Sequence, residues 1–308
     1  MTVVYGQFPD FRGKLDVRIS MTTAFLGPRG TFSEEAALLR ATTDELVAFS
    51  SFPALVSAVE TGLADEAVLP IENSIEGAVS TTLDLLIHET ALRIAGELAV
   101  PVRHFLITAP GVKLADVRIV TSHPQPFGQC RRFLDRCLPG VEQVAALSTA
   151  GAVQDVAASS DGHRAAIGTA HAAELYGGAI LAHDIQDVLS NVTRFVVLAR
   201  EDSPPTGDDK TSLAFRILED VPGALHDILA ELAAETLQMT KIESRPSKGW
   251  LGDYIFLIDF EGHRQDERVA RVLDRIRDRC SMLKIFGSYP RFPLDSLRES
   301  IDPVSPVD

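Results

Sequence analysis

The chain has 308 residues, 45% of them hydrophobic and 23% charged, values of a globular protein with room for one large domain or two ordinary ones. A net charge of -14 argues against a nucleic-acid backbone as partner, which needs clustered Lys and Arg, and leaves room for a small anion held by a few local donors. No apolar run approaches a membrane span, the first twenty residues lack the apolar core of a signal peptide, and Cys130, Cys137 and Cys280 are odd in number without metal spacing, which together imply reduced thiols in a cytoplasmic protein.

Residues 1–21 read as a disordered leader, because patterned sequence starts at Thr22. From there to about Arg200 short apolar runs alternate with helical stretches. Strands are predicted at Thr23 to Gly27, Leu46 to Phe49, Ala67 to Leu69, Leu92 to Ile94, His104 to Thr108, Arg118 to Ser122, Val141 to Ala145, Ala165 to Gly168 and Thr193 to Ala199. Helices are predicted after the capping box Thr31-Phe32-Ser33-Glu34, at Pro53 to Thr61 closed by Gly62, and at Thr82 to Glu89, Pro126 to Leu138, Ala150 to Ala158 and Ala170 to Tyr176. The alternation implies an α/β fold with a mainly parallel sheet covered on both faces. Residues 201–209 (EDSPPTGDD) have a linker's composition. Beyond them, strands at Leu213 to Leu218, Met239 to Glu243, Tyr254 to Phe260 and Leu283 to Tyr289 alternate with helices at Ala224 to Leu237 and Glu267 to Cys280. That order, βαββαβ, is an α+β ferredoxin-like unit over residues 210–291. The Pro-, Ser- and Asp-rich tail, residues 292–308, is expected to be disordered.

Four junctions in the first half share one design, a polar cluster where a strand hands over to a helix: residues 27–33, 70–74, 121–125 and 148–152. In a parallel sheet they gather at the carboxyl ends of the strands, where helix N-termini attract anions with about 0.3–1 kcal/mol each. Taken singly, each is ordinary helix capping, and Ser33, Ser74 and Ser148 fit that role. Asn73, Gln125, Gln129 and Arg194 are polar beyond what capping needs. His123 either donates a proton or braces its loop, and Glu72 is either a protonated general acid or an orienting acceptor.

These segments carry a family resemblance. Gly27-Pro28-x-Gly30-Thr31-Phe32-Ser33, Pro70-Ile71-Glu72-Asn73-Ser74 with Thr82-Leu83-Asp84, Ser122-His123-Pro124-Gln125 with Gln129, Ser148-Thr149-Ala150 and Asn191-x-Thr193-Arg194-Phe195 resemble the motifs of prephenate dehydratases. Gly223-Ala224-Leu225, Glu243-Ser244-Arg245-Pro246 and Gly287-Ser288-Tyr289-Pro290-Arg291 resemble signatures of the ACT regulatory domain that follows in that family. The departures are the leader and the Pro126-Phe127-Gly128 interior of the third motif.

The resemblance implies a catalytic domain over residues 22–200 made of two lobes like a periplasmic binding protein. Lobe one would be about 22–99 plus 193–200, and lobe two about 100–187. It implies a carbon–oxygen lyase that turns prephenate into phenylpyruvate with no metal or organic cofactor, because aromatisation drives the loss of CO2 and water. Thr193, Arg194 and Glu72 would be catalytic, with Thr193 aiding the departing hydroxyl and Arg194 holding a carboxylate or fixing the loop. Asn73, Ser74, Thr82, Ser122, Gln129, Thr149 and Phe195 would line the substrate. Gly223, Ala224, Leu225, Glu243, Ser244, Arg245 and Pro246 would bind phenylalanine as feedback effector between paired ACT domains, so a homodimer or homotetramer is expected. Arogenate as substrate, or a phenylalanine sensor without catalysis, are the alternatives.

Overall fold

The computed structural model of the protein describes residues 21–41, 45–250 and 252–301. The predicted leader, apart from Met21, and residues 302–308 of the predicted tail lie outside the described residues.

The chain opens with β1 (Thr22–Leu26), α1 (Phe32–Arg40), β2 (Glu45–Phe49), α2 (Phe52–Thr61), β3 (Glu66–Asn73), β4 (Gly77–Ala78), α3 (Ser80–Asp84) and β5 (Arg93–Pro101). Then come β6 (Phe105–Thr108), β7 (Ile119–Ser122), α4 (Pro124–Gln129), α5 (Arg131–Cys137), β8 (Glu142–Ala145), α6 (Thr149–Ala158), β9 (Arg164–Gly168), α7 (Ala170–Tyr176) and β10 (Ala179–Ala182). Last are β11 (Val192–Ala199), β12 (Asp209–Ile217), α8 (Ala224–Ala234), β13 (Met239–Pro246), β14 (Tyr254–Glu261), α9 (Glu267–Asp278), β15 (Cys280–Pro290) and α10 (Leu294–Ile301). The helix ends follow local chemistry. Thr31 caps α1 by accepting from the Glu34 N–H, Ser51 caps α2 by accepting from Ala54, and left-handed Gly62 closes α2.

Three sheets result. The first has the order β2-β1-β3-β11-β5, with β4 on β3; the second has β10-β6-β9-β7-β8; the third has β13-β14-β12-β15. In the first, β1 runs parallel to β2 and β3, but β11 lies antiparallel to both β3 and β5. In the second, β7 is parallel to β8 and β9, while β6 is antiparallel to β9 and β10. The predicted mainly parallel sheet is therefore corrected to two mixed sheets. Apolar runs reveal strands but not their direction, and β11 returns from the second sheet against the grain of the first.

The third sheet is antiparallel, with α8 and α9 packed on one face through Phe215, Ile228, Ile258, Val272 and Ile276. Its other face packs on the first sheet, where Ala214, Leu257, Phe286 and Tyr289 share a core with Ile94, Val196 and Leu198. The approach is close enough that a Cβ on Gly287 would overlap the backbone of Ile94. Two predictions need correction here. The predicted linker is stitched down: Ser203 Oγ donates to the Ala95 carbonyl, and Asp209 accepts from Thr206 and Gly207 before entering β12. The predicted disordered tail contains α10, which rests on β5 with Leu297 buried. Among the described residues no helix is long and apolar enough to cross a membrane, and no cysteine is paired.

Candidate active site at the junction of the first two sheets

The chain passes between the first two sheets twice, after β5 and before β11, and the two crossings are bound together. Val102 N–H donates to the Asn191 carbonyl at 2.8 Å, Ile185 N–H to the His104 carbonyl at 2.9 Å, and His104 N–H to Gln186 Oε1 at 2.9 Å. Thr193 emerges from this seam onto β11, level with Asn73 on β3 and Val100 on β5.

Asn73 organises the seam. Its Oδ1 accepts from the backbone N–H groups of Ile75 (3.0 Å) and Glu76 (2.9 Å). Backbone amides can only donate, so the amide is fixed with Nδ2 on the other side. There Nδ2 donates to Asn191 Oδ1 at 2.8 Å and to Thr193 Oγ1 at 2.9 Å. A hydroxyl that accepts this bond keeps its own hydrogen for another acceptor. Ser74 completes the hold: its Oγ accepts from Val192 N–H at 3.0 Å and donates to the Ser190 carbonyl at 3.3 Å.

A second chain crosses the junction from Glu76. Gln129 Nε2 donates to Glu76 Oε1 at 3.3 Å, which leaves Gln129 Oε1 to accept from His104 Nε2 at 2.8 Å. His104 is 1% exposed, and burial holds its imidazole below the usual range against the opposing effect of its bond to Gln129 Oε1. The Nε2–H tautomer leaves Nδ1 buried without a partner. The His104 ring meets Phe32 edge-on, with centroids 5.7 Å apart. Further along, α7 meets the loop before α1. Thr169 Oγ1 donates to the Gly30 carbonyl at 2.9 Å, His171 Nε2 bonds Glu34 at 3.0 Å, and Tyr176 donates to the Arg29 carbonyl at 2.8 Å. Gly30, at φ +86°, sits so close to α7 that a Cβ would press on Ala172. Burial would raise Glu34, but Arg29, the Gly30 N–H and His171 outweigh it and hold the carboxyl below its usual range.

Successive residues of a strand point to opposite faces. Asn73 and Thr193 meet on one face of the β3–β11 pair; Glu72 and Arg194, level with each other, meet on the other. Arg194 Nε donates to Glu97 at 2.8 Å, Nη1 to Asp259 at 2.7 Å and Nη2 to the Tyr289 hydroxyl at 2.9 Å, and Nη1 lies 3.5 Å from Glu72. Glu97 also receives Lys210 at 2.8 Å, and Asp259 receives Ser212. Burial opposes each charge, yet the Arg194 charge holds Asp259 below the carboxylate range and the Asp259 charge raises Arg194 well above its own. Removing one partner of such a buried pair costs about 3–5 kcal/mol.

The structure thus brings together Asn73, Ser74 and Thr193, with Gln129 adjoining through Glu76. It separates the others. Arg194 is not free for a carboxylate, because its guanidinium is engaged behind the sheet. Glu72 shares that rear face, 3.1 Å from Lys241, and is not directed at the Thr193 hydroxyl. Phe195 is core, not a wall: it is 1% exposed among Phe25, Ala36 and Val68. Thr82 is fully buried and donates to the Pro70 carbonyl, and Ser122 is fully buried and donates to Ile167. These two hydroxyls brace backbone and do not line a surface. Thr149 opens α6, half-buried, and Ser148 is the cap, accepting from Gly151 at 3.0 Å. His123 braces its loop, its Nδ1 accepting from Gln125 N–H. The effector candidates divide by face. Glu243 and Arg245 turn toward the first sheet, with Arg245 3.1 Å from Asp84, whereas Ser244 and Pro246 are exposed. Gly223 caps α8 at φ +94°, and Ala224 and Leu225 begin that helix half-buried.

Sequence reasoning missed His104, Glu76, Glu97 and Asp259. The acids inside apolar runs, Glu97 in LAV-flanked β5 and Asp259 in YIFLIDFE, were the available signal, since a buried charge requires a partner.

The chain is similar to known proteins over most of its length. Residues 23–203 match the family model described as prephenate dehydratase. The chain is 42% identical over 284 residues to prephenate dehydratase of Mycolicibacterium vanbaalenii, covering 87% of this chain and 90% of that one. It is 40% identical over 290 residues to arogenate dehydratase/prephenate dehydratase 1 of Arabidopsis thaliana, covering 89% of this chain and 72% of that one. The crystal structure of prephenate dehydratase from Arthrobacter aurescens in complex with L-Phe superposes with a TM-score of 0.80 at 37% identity, covering 88% of this chain and 90% of that one. With that match running through the Asn73 and Thr193 segments, the chain belongs to the prephenate dehydratase family.

Proposed function

We propose that the chain converts prephenate to phenylpyruvate at the junction of the first two sheets, with Thr193 as hydrogen-bond donor to the departing ring hydroxyl. The observation that carries this reading is the bond from Asn73 to Thr193, which occupies an acceptor site of the hydroxyl and leaves its hydrogen to point elsewhere. In the reaction the bond from the ring to its carboxylate breaks, CO2 departs, and the electron pair enters the ring. The ring C–O bond then breaks, and the oxygen leaves as water once it has gained a proton. A threonine is a weak acid, so Thr193 polarises the leaving oxygen; such assistance is worth roughly 10²–10⁴-fold. Burying the substrate between the lobes keeps the departing carboxylate poorly solvated.

In this reading residues 22–200 form a catalytic domain of two lobes resembling a periplasmic binding protein, and residues 210–291 form an ACT domain. Two features support an effector role for phenylalanine: the related Arthrobacter enzyme was crystallised with L-Phe, and Ser244 is exposed on the edge strand β13. That edge carries Ile242, 46% exposed, which supports pairing with a second copy in a homodimer or homotetramer.

The direct test is incubation with prephenate while following phenylpyruvate, with and without phenylalanine. Phenylpyruvate is expected, and less of it when phenylalanine is present. Arogenate is the second reading, favoured by the name of the Arabidopsis relative. Formation of phenylalanine from arogenate, with prephenate left intact, would replace the first reading.

A further inference from the structure

The two residues that meet at the reacting face, Asn73 and Thr193, each have a chain neighbour on the opposite face, and both neighbours are tied to the third sheet. Arg194 follows Thr193 and is bonded to Asp259 on β14 and Tyr289 on β15. Glu72 precedes Asn73 and lies 3.1 Å from Lys241 on β13. The ties are not surface decoration. The Arg194 side chain is 14% exposed, its Asp259 partner 10% and its Glu97 partner 2%. Every nitrogen of the guanidinium has an acceptor. The acceptors are held in turn: Asp259 Oδ1 accepts from Ser212, Ser212 bonds Tyr289, and Glu97 accepts from Lys210 and from the Phe292 N–H.

β11 is held unevenly at this point: its ladder with β5 runs without a break from Val192 to Val197, whereas its ladder with β3 is interrupted. The β3–β11 register shifts between Arg194 and Phe195, so regular pairing with β3 is interrupted one residue after Thr193. The extra residue is Ile71, so the bulge bends β3 just before Glu72 and Asn73 and breaks the ladder locally beside Arg194. A guanidinium has a rigid planar fork, and with its nitrogens bonded in three directions it fixes the Arg194 Cα and the peptide that leads to Thr193. One ångström at the reacting group is worth as much as 10²-fold in rate.

We infer that the third sheet positions Thr193 through Arg194, with Asp259 and Tyr289 as positioning residues of the catalytic domain although they belong to the other half of the chain. The inference rests on the reading of Thr193 given above. It makes the third sheet part of what sets the basal rate, in addition to any effector it binds. Loss of the Asp259 charge leaves Arg194 between Glu97 and Glu72, drawn along the first sheet instead of across to the third.

The test uses the full chain and two backgrounds. Asp259→Asn keeps the shape and removes the charge; its kcat for prephenate is expected to fall about tenfold or more, with KM within about twofold of the parent. Tyr289→Phe removes one hydrogen bond and is expected to lower kcat in the same direction by less. In a Thr193→Val background neither change has anything left to aim, so both are expected to leave the residual rate unaltered. A merely structural role would give the same loss in both backgrounds. Equal fold losses in both, or a folded Asp259→Asn with parental kcat, would overturn the inference. Should Asp259→Asn fail to fold, as judged by its thermal transition, Tyr289→Phe decides in its place by the same comparison. Failure of the parent chain to turn over prephenate would remove the underlying reading; parental turnover that Asp259→Asn and Tyr289→Phe do not affect removes only this one.

Discussion

A threonine hydroxyl gains its chemistry from direction, and at Thr193 direction is set by a neighbour. The Asn73 amide is itself fixed by two backbone donors, so the Thr193 hydroxyl receives a bond of known polarity. Both residues were legible in the sequence because they lie in polar clusters at strand ends. Phe195, Thr82 and Ser122 were legible by type and wrong by place, since residue type does not reveal burial, and all three are at most 1% exposed. Of the two roles expected of Arg194, holding a carboxylate fails for a related reason, while fixing the chain next to Thr193 is kept. A strand's alternation put Arg194 behind the sheet, and its partners come from residues 97, 259 and 289, far away in sequence. Glu35 offers a test at this scale. Burial, with the Glu34 charge beside it, pushes its carboxyl up to about 7 against the pull of the Thr169 hydroxyl. The folded chain therefore retains a proton that the unfolded chain releases near the ordinary value of 4.5, and stability from this group is lost as pH rises between the two values. Glu35→Gln should remove that loss, so its thermal midpoint minus the parent's should grow more positive from about pH 5 to pH 8. A constant difference would show that Glu35 does not titrate in that window.

Elements with local signals were read well, and those defined by partners were not. The capped helices α1 and α6 begin where Thr31 and Ser148 predict, because a cap bonds an N–H only three residues away. Strand direction, the short β10 and the insertion of β11 between β3 and β5 depend on distant pairing and carry no local mark. The helix α10 was hidden by a Pro- and Asp-rich surrounding; it forms where Leu297 is buried. Close packing of β15 against β5 depends on Gly287, where no side chain can fit above the Ile94 backbone. Gly287→Ala should force the two strands apart and lower unfolding stability by about 1–3 kcal/mol, measured by denaturant titration. An unchanged midpoint would show that the third sheet does not rest on the first as tightly as described.

At the scale of the molecule, the first sheet is shared. One face carries α1 and the contacts to the second sheet; the other carries α2 and the third sheet. The βαββαβ order of the third sheet and its helices was legible from rhythm, and the family from its motifs. The contact between the first and third sheets was not, because its apolar core and its buried charges are each drawn from both sheets. The division has a functional consequence. In the proposed reading the chemistry falls to one hydroxyl on the front of β11, which Asn73 orients. The most direct measurement is the turnover of prephenate by Thr193→Val, with substrate affinity determined alongside. Phenylpyruvate formation should fall by roughly 10²-fold or more while KM stays within a few-fold of the parent. A Thr193→Val protein that forms phenylpyruvate at the parental rate would contradict the account.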